Sequence, residues 1–213
     1  MLFIFDWDGT LLDSTAKIVR AMQSAIAKHN MPARSDEEAK GIIGLGLPEA
    51  VMQLYPGISA QMLIKLRDSY AQFFIDADQT PCNFYPHVQN VLAELRAQGH
   101  LLAVATGKSR RGLNRVFNNL NRQDFFDASR CADETASKPN PLMLNQLLDE
   151  LDCDVSQAVM VGDTAFDLEM ASNAGMKSIA VSYGAHSEER LLKHKPVLYM
   201  DSFNELLSWE RGC

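Results

Sequence analysis

Asp6 and Asp8 stand one residue apart in Asp6-Trp7-Asp8-Gly9-Thr10, directly behind the apolar run Leu2 to Phe5. Two acids at the end of a buried strand suit two tasks on one substrate: one carboxylate attacks phosphorus and the other moves a proton. Three further stretches carry matching chemistry. They are Thr106-Gly107 after Leu101 to Ala105, Lys138-Pro139, and Gly162 to Asp167 after Ala158 to Val161, which contributes Asp163 and Asp167. Each alone has an ordinary explanation. Acids at a strand end cap turns, Thr before Gly is a common turn, and Asp167 suits the start of a helix. Their joint placement is what points to a site. In an open parallel sheet, ligands bind at the carboxyl ends of the strands, so these stretches converge in space. Acids, a hydroxyl and a lysine gathered there suggest a metal-assisted reaction on an anion, most simply a phosphate ester.

Mg²⁺ suits this set because it takes hard oxygen ligands, usually one or two carboxylates with waters and substrate phosphate. An anionic nucleophile repels an anionic phosphoryl group, and a bridging cation lowers that repulsion. Backbone N–H groups of Gly9 and Thr10 are candidate donors to phosphate oxygens. Lys108, Arg110 and Arg111 follow Gly107 at a predicted helix start, where cations are not the expected partners of the dipole. Lys108 reads as a substrate contact and the two arginines as a solvated face.

The elements that must position these residues follow from periodicity. Residues 2–5 read as a strand buried on both faces. Asp13-Ser14-Thr15 offers N-caps for a helix whose stripe is Ile18, Val19, Met22, Ala25 and Ile26, with Lys17, Arg20, Gln23 and Lys28 outside it. Ser35 to Asp78 reads as helices broken at Gly41, Gly44 to Pro48, and Pro56-Gly57. Phe73 and Phe74 read there as apolar packing with no ligand role. From Pro86 onward β and α character alternate. Helices are expected at Val88–Gln98, Ser109–Leu120, Pro141–Leu151, Ala165–Ala174 and Phe203–Trp209. Strands are expected at 101–105, 125–131, 158–161, 178–181 and 197–200. The pattern is that of an α/β, doubly wound, Rossmann-like parallel sheet with a small helical block inserted after its first strand. The expected division is a core of 1–14 and 82–213 and an insert of 15–81.

Composition excludes several classes. Of 213 residues, 46% are hydrophobic and 22% charged, ordinary for a globular chain. Net charge is −7 with no basic run, which argues against a nucleic-acid footprint. No apolar stretch reaches the ~20 residues of a membrane span, and the N-terminus reads as a strand rather than a leader. Cys82, Cys131, Cys153 and Cys213 form no C-x-x-C pair and read as free thiols of a cytoplasmic protein, a monomer or homodimer. The five histidines read as surface or packing residues.

In these motifs the chain resembles the haloacid dehalogenase (HAD) superfamily, in particular its phosphoglycolate phosphatase-like members with a helical, C1-type cap after strand one. The resemblance spans essentially the whole chain. Asp6 to Thr10 matches the first motif, D-x-D-G-T. Thr106 matches the hydroxyl of the second, Lys138 the lysine of the third, and Gly162-Asp163 with Asp167 the fourth. The resemblance implies that Asp6 is nucleophile and magnesium ligand, and that Asp8 is general acid and base, with its backbone carbonyl on the metal. It further implies that Thr106, Gly107 and Lys138 bind phosphate and Asp163 binds the metal, with Asp167 supporting metal or lysine. The Gly44-Leu45-Gly46 turn would point from cap to core and help choose the substrate. The implied activity is hydrolysis of a small phosphorylated metabolite through an aspartyl-phosphate. A sugar-phosphate mutase would keep the same acids, and a non-catalytic binder of phosphate ligands could keep the same fold.

Overall fold

The computed structural model describes residues 1–76 and 82–210. The chain opens with β1 (Leu2–Phe5), buried at all four positions. Phe3 and Phe5 pack into the apolar layer on one face of the sheet, and Leu2 and Ile4 into the layer on the other. Four helices follow: α1 (Thr15–Lys28), α2 (Asp36–Lys40), α3 (Leu47–Leu54) and α4 (Ala60–Asp76). Met22, Ala25 and Ile26 of α1 meet Val51, Leu54 and Leu66, a cluster separate from those of the sheet. The far end of the helical stretch expected to reach Asp78, the 81/82 boundary and Cys213 are not wholly within the described residues.

Alternation then resumes as α5 (Val88–Ala97), β2 (Leu101–Thr106), α6 (Arg110–Leu120), β3 (Ala128–Cys131) and α7 (Leu142–Glu150). It continues as β4 (Ala158–Gly162), α8 (Ala165–Asn173), β5 (Lys177–Val181), α9 (Glu188–Leu192), β6 (Leu198–Met200) and α10 (Glu205–Glu210). The six strands of the described residues are all parallel, in the order β3-β2-β1-β4-β5-β6. This is the doubly wound, Rossmann-type arrangement, in which the winding direction reverses between β1 and β4. The crevice beyond that point is where Asp6 and Asp163 emerge.

Three local expectations are corrected. Lys17 was placed outside the α1 stripe, yet it is buried, its ammonium 4.5 Å from the centre of the Phe74 ring. The last turns of α4 cover that flank of α1, a tertiary contact that helical period does not report. Ser14 does precede α1, but its hydroxyl does not cap the helix, because it donates instead to Asp8. The short helix α9 has no counterpart in the expected pattern; five residues are too few to show a period.

Candidate active site

Trp7 anchors the first loop. It is fully buried, with the rings of Phe117, Phe126 and Phe84 packed edge-on at 5.2, 5.9 and 6.0 Å. Burying an aromatic of this size contributes roughly 4–6 kcal/mol. With Trp7 pinned below, the acids on either side are fixed at the strand end. The Asp6 N–H donates to Val161 O at 2.9 Å, extending the β1–β4 pairing to the nucleophile candidate itself.

Among the described residues Lys138 is the largest charged side chain that is fully buried, and it lies between two acids. Its Nζ is 2.7 Å from Asp6 Oδ1 and 2.6 Å from Asp167 Oδ1. Asp167 Oδ2 accepts from the backbone N–H and hydroxyl of Thr164, at 3.0 and 2.7 Å. Asp167 is thus both the reciprocal cap of α8 and the anchor of Lys138. Burial alone would lower the lysine's pKa; Asp167 and Asp6 outweigh it and hold the ammonium above its ordinary value. Burial raises the Asp6 carboxyl well above its usual range, against Lys138 and with Asp167 and Asp163 adding to the rise.

Asp163 is held from both sides. Its Oδ1 accepts from the Thr10 hydroxyl at 2.8 Å, and its Oδ2 from the Ala185 N–H at 2.7 Å. Gly9, at φ +86°, leaves the space this carboxylate fills, since a Cβ there would sit 2.2 Å from Asp163 Oδ2. The Gly9 N–H donates to Leu12 O, so Gly9 contributes room rather than the phosphate donor expected of it. The Thr10 hydroxyl likewise serves Asp163. Burial, with Asp167 next, pushes the Asp163 carboxyl up to about 7.

One carboxylate oxygen from each of Asp6, Asp163 and Asp167 falls within 4.8 Å of the other two. Apart from the Lys138 ammonium at Oδ1, neither Asp6 oxygen meets a donor although both are buried. Three buried acids against one lysine leave uncompensated negative charge, which is costly without a counter-ion. The residues fit a divalent cation. Asp167 is held by the Lys138 ammonium and two Thr164 donors, whereas Asp163 meets only neutral donors and Asp6 Oδ2 meets none, so Asp6 and Asp163 are the side chains that would hold it, and the hard oxygen set matches Mg²⁺.

Asp8 is engaged at both oxygens. The Ser14 hydroxyl donates to Oδ1 at 2.6 Å, and Lys108 Nζ lies 2.8 Å from Oδ2. Thr106 ends β2 with its hydroxyl oxygen accepting from the Lys108 N–H at 3.2 Å. A cleft of about 830 Å³ opens above these groups, walled by Asp6, Asp8, Thr106, Gly107 and Lys108 on the sheet side. On its other wall are Gly44, Leu45 and Gly46, together with Ile18, Met22, Tyr70 and Phe74.

The Gly44–Gly46 turn meets the sheet loops directly. A Cβ on Gly107 would fall 2.4 Å from Leu45 O and 2.6 Å from Gly44 O. The Gly46 N–H donates to Ser137 Oγ at 2.8 Å, beside Lys138. Gly44, at φ +99°, faces the Thr164 side chain. Backbone approach this close requires glycine on both sides.

Three residues carry more than their sequence reading assigned. Phe74 lies on the cleft wall, with Lys108 Nζ 4.7 Å from its ring centre. Arg111 lines the cleft, whereas Arg110 is tied to Glu134 and Ser129. His186 is buried, and its Nδ1 accepts from the Ala165 N–H at 2.9 Å in the first turn of α8. Burial, with Arg190 adding to it, pushes this imidazole down to about 4. A lone histidine amid loop residues gives no periodic signal that would have revealed this.

A crevice at the switch point of a doubly wound sheet that gathers buried acids around one lysine is placed to take a small anionic ligand. The family model described as haloacid dehalogenase-like hydrolase matches residues 3–181, and the chain belongs to that family. It is similar to the protein named Probable phosphatase IndB from Dickeya dadantii, at 34% identity over 97% of this chain and 91% of that one. It is also similar to phosphoglycolate phosphatase from Aliivibrio fischeri, at 32% identity over 97% and 95% of the two chains. A hydrolase from Pseudomonas syringae of known crystal structure shares the fold, with a TM-score of 0.90 at 19% identity over 100% of this chain and 98% of that one.

Proposed function

We propose that the chain is a Mg²⁺-dependent phosphatase that hydrolyses a small phosphomonoester through an aspartyl-phosphate on Asp6. The observation that carries this reading is the buried Asp6 carboxylate, facing the cleft with the Lys138 ammonium 2.7 Å from Oδ1 and no donor on Oδ2. The carboxylate oxygen that meets no donor keeps its lone pairs for attack on phosphorus. The names of the two curated relatives favour the same chemistry.

In the first half-reaction an Asp6 oxygen bonds to phosphorus as the bond from phosphorus to the ester oxygen breaks, and Asp8 gives that oxygen its proton. In the second, Asp8 takes a proton from water, the water oxygen attacks phosphorus, and Asp6 leaves as a carboxylate with inorganic phosphate as product. Lys138 offsets the charge gathered on Asp6 and the phosphoryl oxygens, held on station by Asp167. The Thr106 hydroxyl and the amide of Gly107 orient the phosphoryl oxygens. Asp6 and Asp163 with the Asp8 carbonyl would hold Mg²⁺, which supplies charge neutralisation between nucleophile and phosphoryl group.

Residues 15–81 would act as a cap over a core of 1–14 and 82–213, closing to exclude water and opening for exchange. The turn at Gly44-Leu45-Gly46 would be its point of contact with the phosphate-binding loops. Phosphate release from an aryl phosphate with Mg²⁺ tests the reading. Release that depends on Asp6 supports it. Isomerisation of a hexose phosphate without net release would replace it with a mutase, and binding without turnover would replace it with a binding protein.

A further inference from the structure

Helix α6 reads RRGLNRVFNNL and contains no acid. Leu113 and Phe117 are buried toward the sheet, while Arg111 and Arg115, four residues apart, line the cleft together with Lys108 just ahead of the helix. Cations near a helix N-terminus oppose its dipole, and like charges at this spacing repel. A chain of net charge −7 has nonetheless lined the cleft with three basic residues, two from this helix and one from the loop that leads into it.

Position says which part of a substrate this face meets. Lys108 Nζ is 2.8 Å from Asp8 Oδ2, whereas Lys138 pairs with Asp6 and Asp167. Asp8 is the group that would protonate the departing oxygen, so its neighbours adjoin the leaving group rather than the transferred phosphoryl group. Across the cleft, Phe74 of α4 lies 4.7 Å from Lys108 Nζ and 5.8 Å from the Arg115 guanidinium carbon. Tyr70, one turn earlier and tilted against Phe74 with ring centres 5.9 Å apart, also lines the cleft. Burial and the nearby Asp8 hold the Tyr70 phenol well above its ordinary pKa, so its O–H is a donor. Asp133, an acid on the same wall, already accepts from the Arg110 N–H at 2.8 Å, and Asp68 is paired with Arg67 at 2.7 Å.

We propose that Lys108, Arg111 and Arg115, opposed by Tyr70 and Phe74, form a subsite for a negative charge on the leaving group. The substrate is then a phosphomonoester carrying a second anion, a carboxylate or a further phosphate. This rests on the phosphatase reading above and specifies the substrate class. The aromatic pair would cover the apolar stem between the two anions, and the guanidinium forks would take the oxygens of the second. A cleft of about 830 Å³ has room for both ends at once.

A matched two-carbon series tests it: ethyl phosphate with a neutral tail, phosphoglycolate with a carboxylate tail, and ethanediol bisphosphate with a phosphate tail. The wild-type chain should show kcat/KM higher by about tenfold or more for at least one charged tail, the scale of one charge-assisted hydrogen bond. Which charged tail leads separates carboxylate from phosphate. R111M and R115M should each shrink that ratio, and R111K and R115K should restore part of it. The preference should also fall with added salt. Calorimetric binding of the same compounds to folded protein covers compounds that are not turned over. Turnover of an aryl phosphate with no preference for charged tails in kinetics or binding would overturn the subsite. So would a preference that both arginine-to-methionine variants leave intact. Preference in binding with no turnover of any phosphate would instead overturn the phosphatase reading and keep the subsite.

Discussion

Asp167 Oδ1 holds Lys138 Nζ at 2.6 Å, on a carboxylate whose other oxygen is tied to the first turn of α8. The lysine that faces Asp6 is therefore positioned by a residue that need not touch substrate. A separation of 29 residues in sequence becomes a fixed geometry because β4 and its following loop bring α8 beside the Lys138 loop.

Replacing Asp167 by Ala should remove the cap and half of the lysine's neutralisation together. Breaking one side of a buried ion pair typically costs about 3–5 kcal/mol. Chemical denaturation of D167A should show a loss on that scale, and D167N, which keeps a hydrogen-bond acceptor for Lys138, should lose less. A D167A chain as stable as wild type would show that Lys138 is anchored by other groups.

Mg²⁺ should stabilise the fold as well as support turnover. At a hundredfold excess over its dissociation constant the gain is about 2.7 kcal/mol, a melting rise of roughly 5–11 °C for a chain of this size. D163A should abolish most of that rise and shift the Mg²⁺ dependence of turnover to higher concentrations. Ca²⁺ should bind and inhibit, because it takes more ligands at longer distances. Normal turnover after exhaustive chelation would remove the metal from the account.

The sheet and its site were largely legible in the sequence because buried parallel strands read as apolar runs with the functional residues directly behind them. Asp6, Lys138, Asp163 and Asp167 do meet, and the expected strands lie close to β1, β2, β4 and β5. What stayed hidden depended on contacts between elements distant in the chain. The burial of Lys17, the entry of Phe74 into the cleft wall and the diversion of Ser14 to Asp8 all arise where the four inserted helices meet the sheet. Gly9 looked like a phosphate donor because the motif gives its place but not the partner of its N–H.

Leu45 and Ser137 test the contact between that helical block and the sheet. L45W should change the ranking of substrates with different leaving groups, since Leu45 faces the cleft. S137A removes the acceptor of the Gly46 N–H and should raise KM across substrates more than it lowers kcat. Equal proportional losses in kcat/KM on every substrate for L45W would mark the turn as packing alone.

His186 sets a pH dependence on stability. Its folded pKa, about 4, lies below its unfolded value of about 6.5. Between those values the unfolded chain binds the extra proton, so stability contributed by neutral His186 is complete above pH 6.5 and is lost as pH falls through about 4. Melting temperatures of wild type and H186Q over that range should converge toward low pH. A constant difference between them would mean that the ring is not held neutral.

The central claim is a covalent phosphoryl group on Asp6, and acid-quenched mass spectrometry reads it most directly. D8N mixed with Mg²⁺ and an aryl phosphate should trap it, because an activated leaving group departs without a proton while attack by water still needs the base. The account predicts a peptide containing Asp6 heavier by one phosphoryl group in D8N, and no such adduct in D6N. Phosphate release by a wild-type chain whose D8N variant never carries the adduct, or carries it on another residue, would contradict it.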